Sequence, residues 1–107
     1  MTVQSPYFEE IVSGTKTVEL RVYDKKRQTI SVGDTIIFTH SIDGNKKIPA
    51  VVTGLTLAQT FSELFNRIPP GSAGSTPKDK LIEILHSFYT TEREKQYGVI
   101  GIHIQTT

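Results

Sequence analysis

Apolar and polar positions recur with two different periods along this chain, and each change of period marks an element. Tyr7, Phe8, Ile11 and Val12 stand at helical spacing behind Ser5, an N-cap residue, and Pro6, suited to a first helical position; Gly14 is placed to stop the turn. This predicts a short helix. From Thr17 the period falls to two, with Val18, Leu20 and Val22 alternating with Thr17, Glu19, Arg21 and Tyr23. That is the pattern of a strand with one buried face.

Asp24 to Gln28 is polar and carries Lys25, Lys26 and Arg27, and Ile30 and Val32 then lead into a Gly33-Asp34 turn. Thr35 to Thr39 reads as a strand, joined through the hairpin signal Asp43-Gly44-Asn45 to a second from Lys47 to Leu55. Pro49 inside that strand calls for an edge position or a bulge, because it cannot donate to a ladder.

Thr60 and Glu63 form a capping box in front of Phe61, Leu64, Phe65 and Ile68, which predicts a second helix. Pro69 to Ser75, rich in proline and glycine, is expected to be a mobile surface loop. Thr76-Pro77 then opens a helix whose apolar face, Leu81, Ile82, Ile84, Leu85 and Phe88, is the broadest in the chain. A charged helical turn from Thr91, its expected cap, to Gln96 precedes a closing strand from Tyr97 to Gln105, with Ile100, Ile102 and Ile104 in alternation. That strand is expected to be central.

The 107 residues suit one domain spanning 1–107, long enough to bury roughly two-thirds of its unfolded surface. There is no cysteine, so neither disulfides nor thiolate metal sites hold the fold. No run approaches the roughly 20 apolar residues of a membrane span, and the N-terminus lacks signal-peptide character. The expectation is a cytoplasmic monomer with no membrane association. Twelve basic against 11 acidic residues leave a formal charge of +1, so any polyanion must be held by a local patch.

The segment Gly14-Thr15-Lys16-Thr17-Val18-Glu19-Leu20-Arg21 concentrates two cations and an anion at the mouth of a strand. Glu19 and Arg21 are two apart and share a face, so the guanidinium can hold the carboxylate ready to accept hydrogen bonds from a base edge or sugar. Read structurally, the same pair is an exposed ion pair worth under about 1 kcal/mol. Spacing alone does not decide between the two.

These features together resemble the activating signal cointegrator homology (ASCH) domains, a branch of the PUA-like superfamily. The resemblance is carried by the opening from Tyr7 to Ile11, by Gly14, Lys16, Thr17, Glu19 and Arg21, by the Val32-Gly33-Asp34 turn, by Phe38, and by Tyr97-Gly98-Val99-Ile100-Gly101-Ile102. It spans nearly the whole chain. It implies an α+β fold, a five- or six-stranded, mostly antiparallel PUA-like β-barrel flanked by about three helices. It also implies a cleft beside the Lys-Glu-Arg strand and an RNA or nucleotide ligand.

As a binding module the domain sets Lys16, Thr17, Glu19 and Arg21 against the ligand, with Tyr7, Tyr89 or Tyr97 as stacking platforms and Lys25, Lys26 and Arg27 extending a basic strip. Each tyrosine equally suits the rim of a core, and the three-cation run a solvated turn. As a hydrolase it resembles a branch that cleaves N4-acetylcytidine with a lysine, a threonine three positions later and a distant glutamate. Lys16 matches the lysine, Glu19 occupies the threonine position, and the glutamate has no counterpart from Pro69 to Asp79. Lys16 and Glu19 are then the catalytic candidates, for amide hydrolysis or for ribonuclease chemistry. A protein-interaction adaptor is the third reading. His40, His86 and His103 have no metal-ligand spacing and no phosphate loop follows the glycines, so no metal and no cofactor are expected.

Overall fold

A computed structural model describes the whole chain, Met1 to Thr107. Its elements are β1 (Thr2–Val3), α1 (Tyr7–Ser13), β2 (Val18–Val22), a 3-10 turn (Arg27–Thr29), β3 (Thr35–His40), β4 (Lys47–Ala58), α2 (Phe61–Phe65), α3 (Lys78–Phe88), α4 (Thr91–Tyr97) and β5 (Val99–Thr106). The strands form one sheet in the order β1-β3-β4-β5-β2, antiparallel except for the short parallel β1–β3 pair. The sheet curls into a half-barrel, the α+β PUA-like architecture that the resemblance implies.

The twelve-residue β4 binds the two halves, pairing β3 through Lys47 to Val51 and β5 from Ala50 to Ala58. A bulge between Val52 and Gly54 lets so long a strand bend. Pro49 pairs Ile37 of β3 just beyond the end of β5, so its missing N–H faces no neighbour. β5 is central, with β4 on one side and β2 on the other.

Phe38, Val52, Ile100 and Ile102 are fully buried in the sheet core, which α1 covers with Phe8 and Ile11 and α2 with Phe61 and Leu64. Gly101 makes the α2 contact possible: a Cβ there would lie 3.1 Å from Val18 Cγ1 and 3.4 Å from Leu64 Cδ1. The capping box forms, with Thr60 Oγ1 accepting from the Glu63 amide at 3.1 Å.

Three expectations are corrected. Pro69–Ser75 is not a mobile polar loop: Ser72, Ala73 and Gly74 are buried, and the Ser72 carbonyl accepts from the Thr17 and Val18 amides at 2.8 and 3.0 Å. Small residues let this backbone approach β2 as an extra strand would. Ser5 does not cap α1, because its hydroxyl is engaged by Glu9 and His40. The cap of α4 is Thr90, not Thr91. The broad apolar face of α3 is only partly buried, through Leu81 and Leu85, while Phe88 stands 62% exposed and, on α1, Val12 51%.

Candidate functional site

The sheet order leaves β2 and β1 as edges, and the half-barrel stays open between them. Thr17 and Tyr23 bond to Ile104 and Gly98, so the alternation turns the N–H and C=O groups of Val18, Leu20 and Val22 outward to the open edge. Three charged side chains close this seam. Lys16 Nζ donates to the Val18 carbonyl at 2.9 Å, Glu19 Oε1 accepts from the Leu20 amide at 3.1 Å, and Arg21 Nη2 donates to the Thr2 carbonyl of β1 at 2.9 Å.

The same three groups hold one another. Glu19 lies 3.4 Å from Lys16 Nζ through Oε1 and 3.2 Å from Arg21 Nη2 through Oε2. Lys16 is 3% exposed and Glu19 6%, which overturns the picture of an exposed ion pair. Burial works to raise the carboxyl pKa of Glu19, yet Lys16 and Arg21 outweigh it and hold the group below its ordinary 4.5. Burial likewise opposes the Arg21 charge, and the Glu19 carboxylate and the nearby Tyr89 hydroxyl raise its pKa instead.

Lys16 is committed to the fold. Two of its ammonium protons go to the Val18 and Ala73 carbonyls, both at 2.9 Å, and Glu19 stands at ion-pair distance. Glu19 is different: of about four lone-pair sites on a carboxylate, the Leu20 amide and Arg21 use two, with Lys16 at ion-pair distance. Arg21 bonds Thr2 and Glu19 from Nη2 and meets the Tyr89 hydroxyl, which leaves donors among its Nη1 and Nε hydrogens beyond the one toward Tyr89.

Above this floor lies a cleft of about 420 Å³, walled by Val3 and Tyr7 on one side and by Leu81, Leu85, Phe88 and Tyr89 on the other. Tyr7 is fixed by a 3.3 Å bond to Thr76 Oγ1 and by the Lys16 ammonium 5.6 Å from its ring. The cleft is thus an apolar slot with one ionised carboxylate and one guanidinium at its base.

The sequence matches the ASCH domain family over residues 1–107. The chain belongs to the ASCH domain family. Among solved structures it is similar to the hypothetical protein PH0355, at 34% identity, 100% coverage of this chain and 96% of that one, with a TM-score of 0.86. It is also similar to PF0455 from Pyrococcus furiosus, at 29% identity, 99% and 94% coverage and a TM-score of 0.71. ZmASCH from Zymomonas mobilis shares the fold at 14% identity, with 98% of this chain and 64% of that chain covered and a TM-score of 0.71. No curated protein sequence matches the chain.

This ASCH domain brings Lys16, Glu19, Arg21, Tyr7 and Tyr89 to one cleft. Thr17 is exposed outside it, its backbone spent on Ser72 and Ile104. Tyr97 lies in a separate groove with Tyr23. Sequence reasoning missed Phe88 as a wall, placing it only on the apolar face of its helix; its place at the end of a helix whose apolar face is wider than one seam needs is the available signal. It also missed Ala73, which only tertiary contact reveals.

The three histidines lie apart with separate partners. His103 meets Thr56 at 2.7 Å, and His86 meets Glu94 at 2.9 Å. His40 Nε2 sits 2.8 Å from Ser5 Oγ near Glu9, but its Nδ1 accepts from the Ile42 and Asp43 amides. That fixes the proton on Nε2, so His40 cannot take one from Ser5, and the trio is no nucleophilic triad.

Proposed function

We propose that this ASCH domain is a binding module that takes a nucleobase, from RNA or a nucleotide, into the cleft beside β2. The observation that carries the reading is a slot with apolar and aromatic walls over a base bearing open carboxylate sites and unused guanidinium hydrogens. A nucleobase is flat and apolar on its faces and alternates N–H donors with acceptors along its edge, which matches such a slot. The volume of about 420 Å³ falls within the usual range for small-ligand sites.

The hydrolase reading is weaker on the same geometry. An ammonium held by two backbone carbonyls and an ion pair is committed to the fold and is no base, and a carboxylate held below its ordinary pKa is a poor base near neutrality. Lys16 serves to build the floor of the cleft, and any phosphate contact there falls to Arg21.

The test is calorimetric titration of the four ribonucleoside monophosphates and of N4-acetylcytidine, with products followed by chromatography, beside Glu19→Gln. Binding without turnover, and lost in the variant, is the expected result. Release of cytidine would make the domain a hydrolase, and nucleotide binding indifferent to Glu19→Gln would place the site elsewhere.

A further inference from the structure

His40 is buried at the end of β3, and its two ring nitrogens meet opposite kinds of partner. Nδ1 accepts from the Ile42 and Asp43 amides, both at 3.1 Å. Nε2 lies 2.8 Å from Ser5 Oγ and 3.6 Å from Glu9 Oε1, and the Ser5 hydroxyl donates to that same carboxylate oxygen. A relay thus runs from the ring N–H through a hydroxyl to a carboxylate. The Nδ1 side needs the neutral imidazole, whose lone pair closes the turn, while the Nε2 side holds an imidazolium equally well.

A proton on Nδ1 would point at two amide hydrogens, so both of those bonds are lost when the ring is protonated. The Nε2–H still reaches Ser5, and an ion pair with Glu9 replaces what the turn gives up. Two arrangements therefore differ by one proton and by whether residues 42 and 43 are tied down. On α1, Glu9 is held below its ordinary 4.5, first by the Ser5 hydroxyl, so it stays ionised over the range in which histidines titrate. On the hairpin, Lys46 is near enough to Glu9 to help hold that charge, and its carbonyl accepts from the His40 amide at 3.0 Å. The Asp43 carboxylate accepts from the Asn45 amide at 3.1 Å. β1 brings the Met1 amine, which donates to the Ile37 carbonyl at 2.7 Å, and Phe8 covers the ring without a charge.

The turn reaches the cleft. Ser41, between His40 and Ile42, lines it together with Val3 and Gln4, and the Ser41 amide donates to the Val3 carbonyl at 2.9 Å. We infer that His40 is a proton switch at the mouth of the cleft: the neutral ring pins the 41–43 turn and the wall made by Ser41 and Val3, and the protonated ring releases the turn and loosens that wall. The pinned state is fully present above the titration of the ring and is lost as the pH falls through it. The switch sets the shape of the cleft, whatever ligand the cleft takes.

The experiment is NMR of the isotope-labelled full chain between about pH 7.5 and about pH 5, reading the His40 ring nitrogens beside the amides of Ser41, Ile42 and Asp43. Nδ1 is expected to be unprotonated at the upper end, and the three amides to shift with the midpoint of the ring. Solvent exchange of the Ile42 and Asp43 amides, corrected for its intrinsic pH dependence, should rise at least about tenfold across the titration. His40→Asn, whose side-chain oxygen can accept from the same amides without titrating, should hold them in place throughout; it keeps the Met1 amine, so any change due to that group persists. Glu9→Gln, at an exposed position that leaves folding intact, should move the ring's midpoint to lower pH. Amides that ignore the ring, a ring still neutral at about pH 5, or a turn that opens equally in His40→Asn overturns the switch. None of these readouts uses a nucleotide, so the switch and the nucleobase reading of the cleft stand or fall separately.

Discussion

Lys16 Nζ lies 2.9 Å from the carbonyl oxygen of Ala73, a residue 57 positions further along the chain. This bond ties the 69–75 segment to the start of β2, and with the Val18 and Glu19 contacts it makes a buried ammonium the clasp of the open side of the half-barrel. The lysine of the motif thus acts on the cleft by building it.

Lys16→Ala follows from that role. An exposed lysine would leave the melting temperature unchanged, but this substitution strips two buried carbonyls of their donor and leaves Glu19 with Arg21 as its one cation. The expected loss is about 3 kcal/mol, read from urea midpoints, with faster amide exchange from Ala73 to Ser75. An unchanged midpoint would show that the clasp contributes nothing.

The acid stability of the protein should depend on Glu19. Its carboxyl is held below its ordinary 4.5 in the fold, so unfolding takes up a proton once the pH drops below that value. The stabilisation is therefore fully present above about pH 4.5 and is lost as the pH falls through the folded-state pKa. Urea midpoints measured from about pH 7 to about pH 3 should fall less steeply in Glu19→Gln than in the wild type. Parallel curves would assign the acid limb to other carboxylates.

The architecture and the site differ in how far the sequence reveals them. The strand periods, the Asp43-Gly44-Asn45 hairpin and the Thr60 cap are local signals, and the elements they predict are present. β1 is only Thr2–Val3, too short for any period to show, and it exists because β3 accepts it. The burial of Lys16 and Glu19 was equally hidden, because a charge in sequence looks solvated until its partners arrive from Ala73 and Thr2. Pro69–Ser75 reads as a loop by composition, yet residues as small as Ser72, Ala73 and Gly74 are those that a closely packed backbone also requires.

His40 organises the β3–β4 hairpin. Its Nδ1 accepts from the Ile42 and Asp43 amides, both at 3.1 Å, and its ring meets Phe8 edge-on at 5.3 Å. His40→Ala should cost about 2 kcal/mol and expose the tip, where Ile42 is already 91% exposed, to proteolysis. If the melting temperature holds and the tip resists cleavage, water replaces the ring as acceptor.

Phe88 separates ligand affinity from stability. At 62% exposure on the cleft wall it contributes little to the core, so Phe88→Ala should shift stability by no more than about 0.5 kcal/mol. If the ring stacks on a base, the same change weakens binding by about 1–3 kcal/mol, measurable by calorimetry. A variant that binds as well as wild type would remove Phe88 from the site.

Gly74 joins the clasp to a second latch. Its φ is +123°, a region that disfavours side chains, and a Cβ there would fall 2.9 Å from Glu10 Oε1. The other oxygen of that carboxylate accepts from the Ser75 amide at 2.9 Å. In Gly74→Ala the backbone strain and the displaced carboxylate act together: Ser75 loses its acceptor, the segment lifts, and Ala73 moves away from Lys16. The expected cost is about 2–3 kcal/mol, with new protease cleavage between Pro69 and Ser75 and weaker nucleotide binding at the cleft. Adding Glu10→Ala removes the clash but not the strain, so the double variant should recover part of the stability while Ser75 stays unlatched. A Gly74→Ala protein that keeps both its midpoint and its cleavage pattern would show that the segment holds its place through Lys16 alone.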